Sequence, residues 1–512
     1  MKTTTISNVK EAIIRFKELD EKICHLNDIL SLVSWDQKTK APKKSASIFA
    51  SAIGTLSTET FKLAISDEMT ELLEYLSLDE NSAELELEMA AAVRERKAHS
   101  RKLAKIPEAM YKEYSILVSR ANAVWEEARE KSDFSIFEET LGKIVSYTKK
   151  FIELYGYEGH PYNALLEDYE PGLTVEKLDP LFAELRTRSV ALLDRLKRKG
   201  AEPAVDFLEA DYEIEKQKEF NSFIVPKLGF DMAAGRLDES AHPFAQPINT
   251  GDVRLTTRYR LNNMRTAIFG TIHESGHGMY EQGINPDYEG TVLREGASFG
   301  IHESQSRFYE NFIGRSSSFW NHFYPKLQEH FPEQLKDVEL DAFCRGINQV
   351  APSFIRVEAD ELTYNLHIMV RYEIEKGLFD GSIEVKDLPK VWNEKMNEYL
   401  GITPPNDSLG VLQDVHWSFG GFGYFPSYSL GNLYAAQIYY TLKKEHPELE
   451  SFIEKGELSF IREWLRERIH QYGKLFTPNE LIVKATGEEL NASYLMNYLE
   501  EKYSRVYKLN AV

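Results

Sequence analysis

The sequence predicts a mainly α-helical protein with a small β element in its middle. Three observations carry this reading. Apolar residues recur every three or four positions over most of the chain, capping residues stand where those stretches begin and end, and one short stretch alternates strictly.

In the first stretch Phe16, Leu19, Ile23, Leu26, Leu30 and Val33 step by 3-4-3-4-3, an apolar stripe along one helix face. Five intervals make a packing face against neighbouring helices rather than a coiled-coil seam. Residues 82–105 run from acidic to basic, which suits the helix dipole, and Pro107 marks the next break. Further amphipathic stretches fall near 108–130, 134–155, 175–199, 211–226, 355–376 and 431–446. The alternation lies at 252–259, where Val253, Leu255, Thr257 and Tyr259 interleave with Arg254, Thr256 and Arg258. It follows the proline-containing run 241–251. No fixed-period repeat and no low-complexity linker divides the 512 residues.

Composition narrows the function classes. At 42% apolar and 28% charged the chain is that of an ordinary globular protein. Its 61 basic and 81 acidic residues give a formal charge of −20, which argues against nucleic-acid or anionic-membrane partners. Two isolated cysteines, Cys24 and Cys344, exclude a disulfide framework and argue against a thiolate metal cluster. The N-terminal stretch has no apolar core or small-residue cleavage signal, and no segment is apolar enough to span a membrane. A cytoplasmic location is expected.

Chemistry concentrates in "TIHESGHGMY", residues 271–280. A helix over 262–282 is expected, with Asn262 or Asn263 as cap, Gly283 at its end and Pro286 beyond. On it His273 and His277 stand one turn apart on one face, so both rings reach one ion. Glu274 points about 100° away round the axis, within reach of a water at that ion. Chance alone would produce H-E-x-x-H in roughly three such chains per hundred, so the match by itself does not decide. A third ligand would. The histidine continuation of the metzincins is absent, since Tyr280 and Gly283 occupy its places. A second helix over 294–312 offers Glu295 and Glu303, the latter 26 residues after His277.

The pattern resembles the angiotensin-converting-enzyme-like gluzincins and, more closely, the carboxypeptidase Taq family of metallocarboxypeptidases. The family's H-P-F stands at 242–244, and its D-x-R-x-T at Asp252, Arg254 and Thr256. H-E-x-x-H is 273–277 and H-E-S-Q is 302–305. I-R-x-x-A-D supplies Ile355, Arg356, Ala359 and Asp360. G-x-x-Q-D-x-H-W supplies Gly410, Gln413, Asp414, His416 and Trp417. Residues 35–42, 160–172 and 423–437 also look like family sequence. One departure from the broader gluzincins is Arg307, four residues after Glu303, where an Asp often orients a ligand histidine. The second shell must then come from elsewhere.

The resemblance implies a large helical saddle or clamshell with a deep active-site groove and a small β-sheet near the metal. It implies one catalytic unit over 1–512, with 1–240 a helical lobe that includes groove-capping helices and 241–512 the metal- and substrate-binding part. His273, His277 and Glu303 would hold one Zn²⁺ per chain, with Co²⁺ able to substitute, and the fourth position would be left to water. Glu274 would take the water's proton and return it to the leaving amine. His416 would stabilise the oxyanion, and Tyr424 of the same Gly- and aromatic-rich loop reads equally as a second donor or as a packed aromatic. Arg356 would meet the free C-terminal carboxylate, with His242, Arg254 and Gln413 as further substrate contacts. On spacing alone, Arg356 and Asp360 instead read as an i,i+4 pair on a helix surface. The implied activity is removal of single C-terminal residues from peptides by a homodimer. An oligoendopeptidase or dipeptidyl carboxypeptidase with the same metal machinery is the nearest alternative, and an inactive metal-binding scaffold the next.

Overall fold

The computed structural model describes residues 8–509; the first seven residues, the opening of the N-terminal stretch read above for a leader, lie outside the described residues, as do the last three. Ten of its helices coincide with the stretches expected from periodicity. In chain order they are α1 (Val9–Thr39), α2 (Leu87–Ala104), α3 (Glu108–Lys131), α4 (Ser135–Tyr155), α5 (Val175–Lys199), α6 (Ile214–Leu228), α7 (Met264–Gly283), α8 (Phe299–Arg307), α9 (Glu361–Asp380) and α10 (Pro426–Glu445). Further helices, among them Ala46–Ala64, Ser317–His330 and Ser493–Val506, lie between and after them.

The chain forms two compact units, each assembled from three separate stretches. The first comprises Met1–Ala104, Asp206–Leu340 and Thr441–Gly487. The second comprises Lys105–Val205, Asp341–Tyr440 and Glu488–Val512. Residues 240 and 241 both lie in the first unit.

In the first unit the expected stripe of α1 is buried at Phe16, Leu19 and Ile23 and half-buried at Leu26, Leu30 and Val33. One polar residue interrupts its buried part. Asp20 is 1% exposed and pairs with Arg96 of α2, which is itself buried. Its other carboxylate oxygen accepts the backbone N–H of Val292 at 3.0 Å. Arg294, two residues on, pairs with Asp28 of α1 and with Glu289. Helix α1 is thereby tied to the connector between α7 and α8.

Three strands, β1 (Gly235–Glu239), β2 (Ala245–Asn249) and β3 (Asp252–Thr257), form one sheet in the order β1-β3-β2. Strand β3 pairs in parallel with β1 and antiparallel with β2. Pro247, which has no N–H to donate, sits on the edge strand β2, and the register slips between it and Asn249. Val253 and Leu255 are fully buried, and Leu255 packs where Gly278 of α7 leaves room for it. On the other side of β3 the guanidinium of Arg254 lies 4.7 Å from the centre of the Trp35 ring. The expected strand ran to Tyr259, yet β3 ends at Thr257. Beyond it the carbonyls of Arg260 and Leu261 accept from Gln217 Nε2 and Tyr212 N–H, so that backbone serves α6 and its approach instead of the sheet.

In the second unit the helix expected from residue 355 starts at Glu361. Asp360 is its N-cap, accepting from the N–H and the hydroxyl of Thr363 at 3.0 and 2.7 Å. Arg356 lies in a short 3₁₀ turn before it. The surface pair between them is therefore corrected: Arg356 pairs with Asp414 and Asp360 caps a helix.

Replacing Asp20 by Ala leaves a buried guanidinium and the Val292 N–H without their acceptor. Asp20→Ala is expected to destabilise the first unit by about 3–5 kcal/mol, read as a shift in denaturant midpoint; a change under about 0.5 kcal/mol would mean that the pair is solvated.

Candidate metal centre

Helix α7 begins where the Asn263 side chain accepts the Thr266 N–H at 3.3 Å. It carries His273, Glu274 and His277 at its middle, amid buried residues on every side. Gly276, between the two histidines, is where α8 crosses. A Cβ there would lie 2.5 Å from the Gln305 carbonyl oxygen and 2.7 Å from Ser306 Cα. Two backbones thus touch at the one position where a side chain would keep them apart. This contact brings Glu303 over the histidine face.

Three donors converge as a result. Glu303 Oε2 lies 3.6 Å from His273 Nε2 and 3.3 Å from His277 Nε2. All three donor atoms fall within 4.8 Å of one another, the one such group of metal-binding side chains among the described residues. A tetrahedral ion with bonds near 2.1 Å sets its ligands about 3.4 Å apart, close to the two Glu303–histidine separations. Glu295, the other acid considered, pairs with Lys474 instead.

The ring nitrogens facing away from this centre are engaged. His273 Nδ1 lies 2.9 Å from Glu310 Oε2, so Nδ1–H donates and Nε2 keeps its lone pair for the centre. Glu310 is held in turn by Arg307 and Arg315, both at 3.1 Å. His277 Nδ1 lies 2.6 Å from His302 Nδ1, and His302 Nε2 lies 2.6 Å from Glu281 Oε1. Donation from His302 to the Glu281 carboxylate leaves its Nδ1 to accept the proton of His277 Nδ1. Each histidine thus presents Nε2 inward.

Arg307, which displaces the expected Asp, donates from Nε to Glu303 Oε1 at 2.7 Å and leaves Oε2 on the centre. Burial raises the Glu303 carboxyl, and Arg307, His273 and His277 together hold it well below the usual range. Burial pushes His277 down to about 3, against the pull of Glu303. Burial pushes Glu274 up to about 7, opposed by His273 and assisted by Glu303 and Glu310. Glu310, His302 and Glu281 are neighbours of the cluster that sequence spacing does not single out, whereas Arg307 is the departure noted there. Glu310 stands in a π-helical turn, Phe308–Ile313, that continues α8.

His242 and Arg254 belong to the same unit but not to this cluster. His242 is exposed, in the turn before β2. Arg254 is bound to Asp252 by two contacts of 2.8 and 2.6 Å. The H-P-F and D-x-R-x-T stretches hold each other: the Phe244 N–H donates to Thr256 Oγ1, and the Thr256 N–H to the Phe244 carbonyl.

The second unit gathers Arg356, Gln413, His416 and Tyr424. Arg356 is buried, donates to Asp414 at 3.0 and 3.2 Å and to the Tyr364 hydroxyl at 3.1 Å, and faces the Tyr428 ring at 4.8 Å. Arg371, wholly buried, takes the other oxygen of Asp414. Gln413 accepts from the Arg356 N–H and from Arg371, and donates to the Phe354 carbonyl. His416 stacks on Tyr424 with centroids 5.4 Å apart and planes at 30°. Burial pushes His416 down to about 4, opposed by Asp414 and assisted by both arginines. Its buried Nδ1 makes no hydrogen bond, and Asp414 lies 3.9 Å away.

Known proteins share this chain's length and fold. A family model described as carboxypeptidase Taq (M32) metallopeptidase matches residues 15–503. Carboxypeptidase 1 of Bacillus subtilis is 50% identical over 494 residues, covering 96% of this chain and 98% of that protein. Thermostable carboxypeptidase 1 of Thermus thermophilus is 41% identical, with coverages of 96% and 98%. The crystal structure of an M32 carboxypeptidase from Deinococcus radiodurans matches with a TM-score of 0.94 at 34% identity, covering 98% of this chain and 100% of that one.

Gly276→Ala is expected to push α8 off α7 and weaken binding of the metal roughly tenfold or more, as loss of ligand support does. Competition with a chromophoric chelator measures this, and unchanged affinity would disconnect the helix contact from the centre. Asp414 supplies a pH dependence. Burial raises its carboxyl, but Arg371, Arg356 and His416 bring it well below the usual range. Its ion pairs therefore contribute fully above the unfolded value of about 3.9 and are lost as pH falls below it. Asp414→Asn is expected to lower the unfolding midpoint at pH 7 and to flatten the acid limb of the stability profile below about pH 4. An acid limb identical to the parent's would remove Asp414 as its source.

Proposed function

The chain belongs to the carboxypeptidase Taq (M32) family of metallopeptidases and is a metallocarboxypeptidase, and from that premise we propose how its residues divide the work of removing single residues from peptide C-termini. The observation that carries the reading is the convergence of His273 Nε2, His277 Nε2 and Glu303 Oε2, with both Nδ1 atoms turned to other partners. These three hold one metal ion, zinc by the donor set of two imidazoles and a carboxylate, with cobalt able to replace it. When bound, such an ion supplies a water acidified to a pKa near 7 and a Lewis acid for the scissile carbonyl.

Glu274 accepts the proton of the attacking water and hands it to the departing amine. His416, neutral at working pH, and Tyr424 donate to the oxygen on which negative charge develops. Arg356 meets the substrate's C-terminal carboxylate. Two guanidiniums share the single carboxylate of Asp414, a cationic setting that suits an incoming carboxylate. Gln413 acts through Arg356, whose backbone it holds. His242 and Arg254 contact the peptide further from the scissile bond. The whole chain is read as one catalytic unit, working as a cytoplasmic homodimer on peptides with free C-termini. The formal charge of −20 supports the absence of nucleic-acid and membrane partners. Among the described residues no helix is long and apolar enough to cross a membrane.

The test is mass spectrometry of one short peptide, supplied with a free or an amidated C-terminus, each with and without chelator. Loss of one residue at a time from the free form alone, abolished by chelation, is the expected result. Internal cuts in both forms would move the protein to the endopeptidase reading and remove the carboxylate role of Arg356. No cleavage despite bound metal would leave the inactive scaffold. In the same assay Glu274→Gln is expected to keep its metal and to lose roughly 10²–10⁴-fold in kcat.

A further inference from the structure

Glu375 stands in the middle of α9 and is completely buried, and among the described residues its carboxylate forms no ion pair. Three donors meet it instead. Trp417 Nε1 donates to Oε1 at 2.7 Å; the Tyr162 hydroxyl and the Gly423 N–H donate to Oε2 at 2.6 and 2.9 Å. Two of these donors bracket one segment, because Trp417 follows His416 and Gly423 precedes Tyr424.

The segment between them is a closed loop. The Gly421 N–H donates back to the His416 carbonyl at 2.9 Å, and Gly420 and Gly423 adopt φ values of +76° and +88°. Gly423 also lies so close to Leu165 that a Cβ would sit 2.8 Å from its carbonyl oxygen. Leu165 belongs to the same short turn as Tyr162. Trp417 and Gly423 are buried while His416 and Tyr424 are half-exposed, so drawing the first pair inward turns the second pair outward.

We propose that Glu375 is a positioning residue for the reaction: its carboxylate clamps both ends of the 416–424 loop and thereby holds His416 and Tyr424 in register. This rests on the reading of those two side chains as donors to the reacting carbonyl. A carboxylate suits the task because it has acceptors only, and here all three incoming groups are donors. Glutamine in the same place would turn an NH₂ toward one of them.

The test is a double-mutant cycle on the metal-loaded full chain, with kcat, KM, metal content and unfolding midpoint measured for each variant. Glu375→Gln in the parent is expected to lower kcat roughly 10–100-fold, the scale of a misplaced catalytic group. KM should move by less than about threefold, because the lost interaction belongs to the transition state. In a His416→Ala/Tyr424→Phe background the same change should lower kcat by less than about twofold, since the groups it positions are gone. An equal loss in both backgrounds would overturn the proposal and leave Glu375 as packing. So would a Glu375→Gln enzyme with parental kcat. A His416→Ala/Tyr424→Phe enzyme with parental kcat would instead overturn the roles given to those residues, and the clamp with them, without any use of Glu375. Should Glu375→Gln fail to fold, Trp417→Phe and Tyr162→Phe each remove one donor and enter the same cycle, with an expected loss of roughly 3–10-fold.

Discussion

The proposed metal centre depends on a contact between two backbones. Helices usually pack with axes 8–10 Å apart, held off by their side chains. At Gly276 that spacer is missing, and the backbone at Gln305 and Ser306 fills the space a Cβ would need. The histidines on either side then share a face with Glu303, one turn back along α8. The histidine pair is a property of one helix and of its sequence alone. The third donor is in place only because two helices touch, so the closeness of this crossing sets the donor separation.

Charge is the second constraint. Glu274, Glu281, Glu303 and Glu310 are gathered in a largely dry region, where each unpaired carboxylate would cost several kcal/mol. Arg307 answers Glu303 and Glu310, Arg315 answers Glu310, and Glu281 accepts the Nε2–H of His302. Glu274 has no such cation beside it, and burial accordingly raises its pKa while Glu303 and Glu310 are pulled down. Carboxylates of one chemical type are thus driven apart by which of them has an arginine for a neighbour.

The helices were legible in the sequence because their apolar periodicity reports burial directly, as in α1 at Phe16, Leu19 and Ile23. Their ends were less so. Asp360 lies in register with Arg356 for a surface pair, but its carboxylate bonds Thr363 and the Ala351 N–H and so starts a helix where one was expected to continue. Only β3 was foreseen in the sheet. Strand β2 carries a proline and a register slip, and β1 is short, so neither shows a clean alternation. In the site, the H-E-x-x-H spacing points to His273 and His277. Nothing in spacing points to Glu310 or to the His302–Glu281 pair, because those contacts form on the far sides of the rings, by tertiary packing and within a π-helical turn.

The motif residues themselves divide by what their polar atoms touch. Thr256 of D-x-R-x-T holds Phe244 of H-P-F, and Gln413 and Asp414 of G-x-x-Q-D-x-H-W hold Arg356 of I-R-x-x-A-D. These stretches brace one another, so a family pattern in sequence marks mutual support as much as contact with substrate. Every polar atom of Gln413 has a protein partner, and the same holds for the hydrogen-bonded arms of Arg254 against Asp252. His416 differs. Its Nδ1 is shut away from solvent without a hydrogen bond, an arrangement that costs about 1–3 kcal/mol and that it shares with other buried atoms, both ring nitrogens of His367 among them. The His416 ring, stacked on Tyr424 and kept neutral by burial, is tied to its neighbours by fewer polar contacts than Gln413 or Arg254, which is what the proposed donor role asks of it.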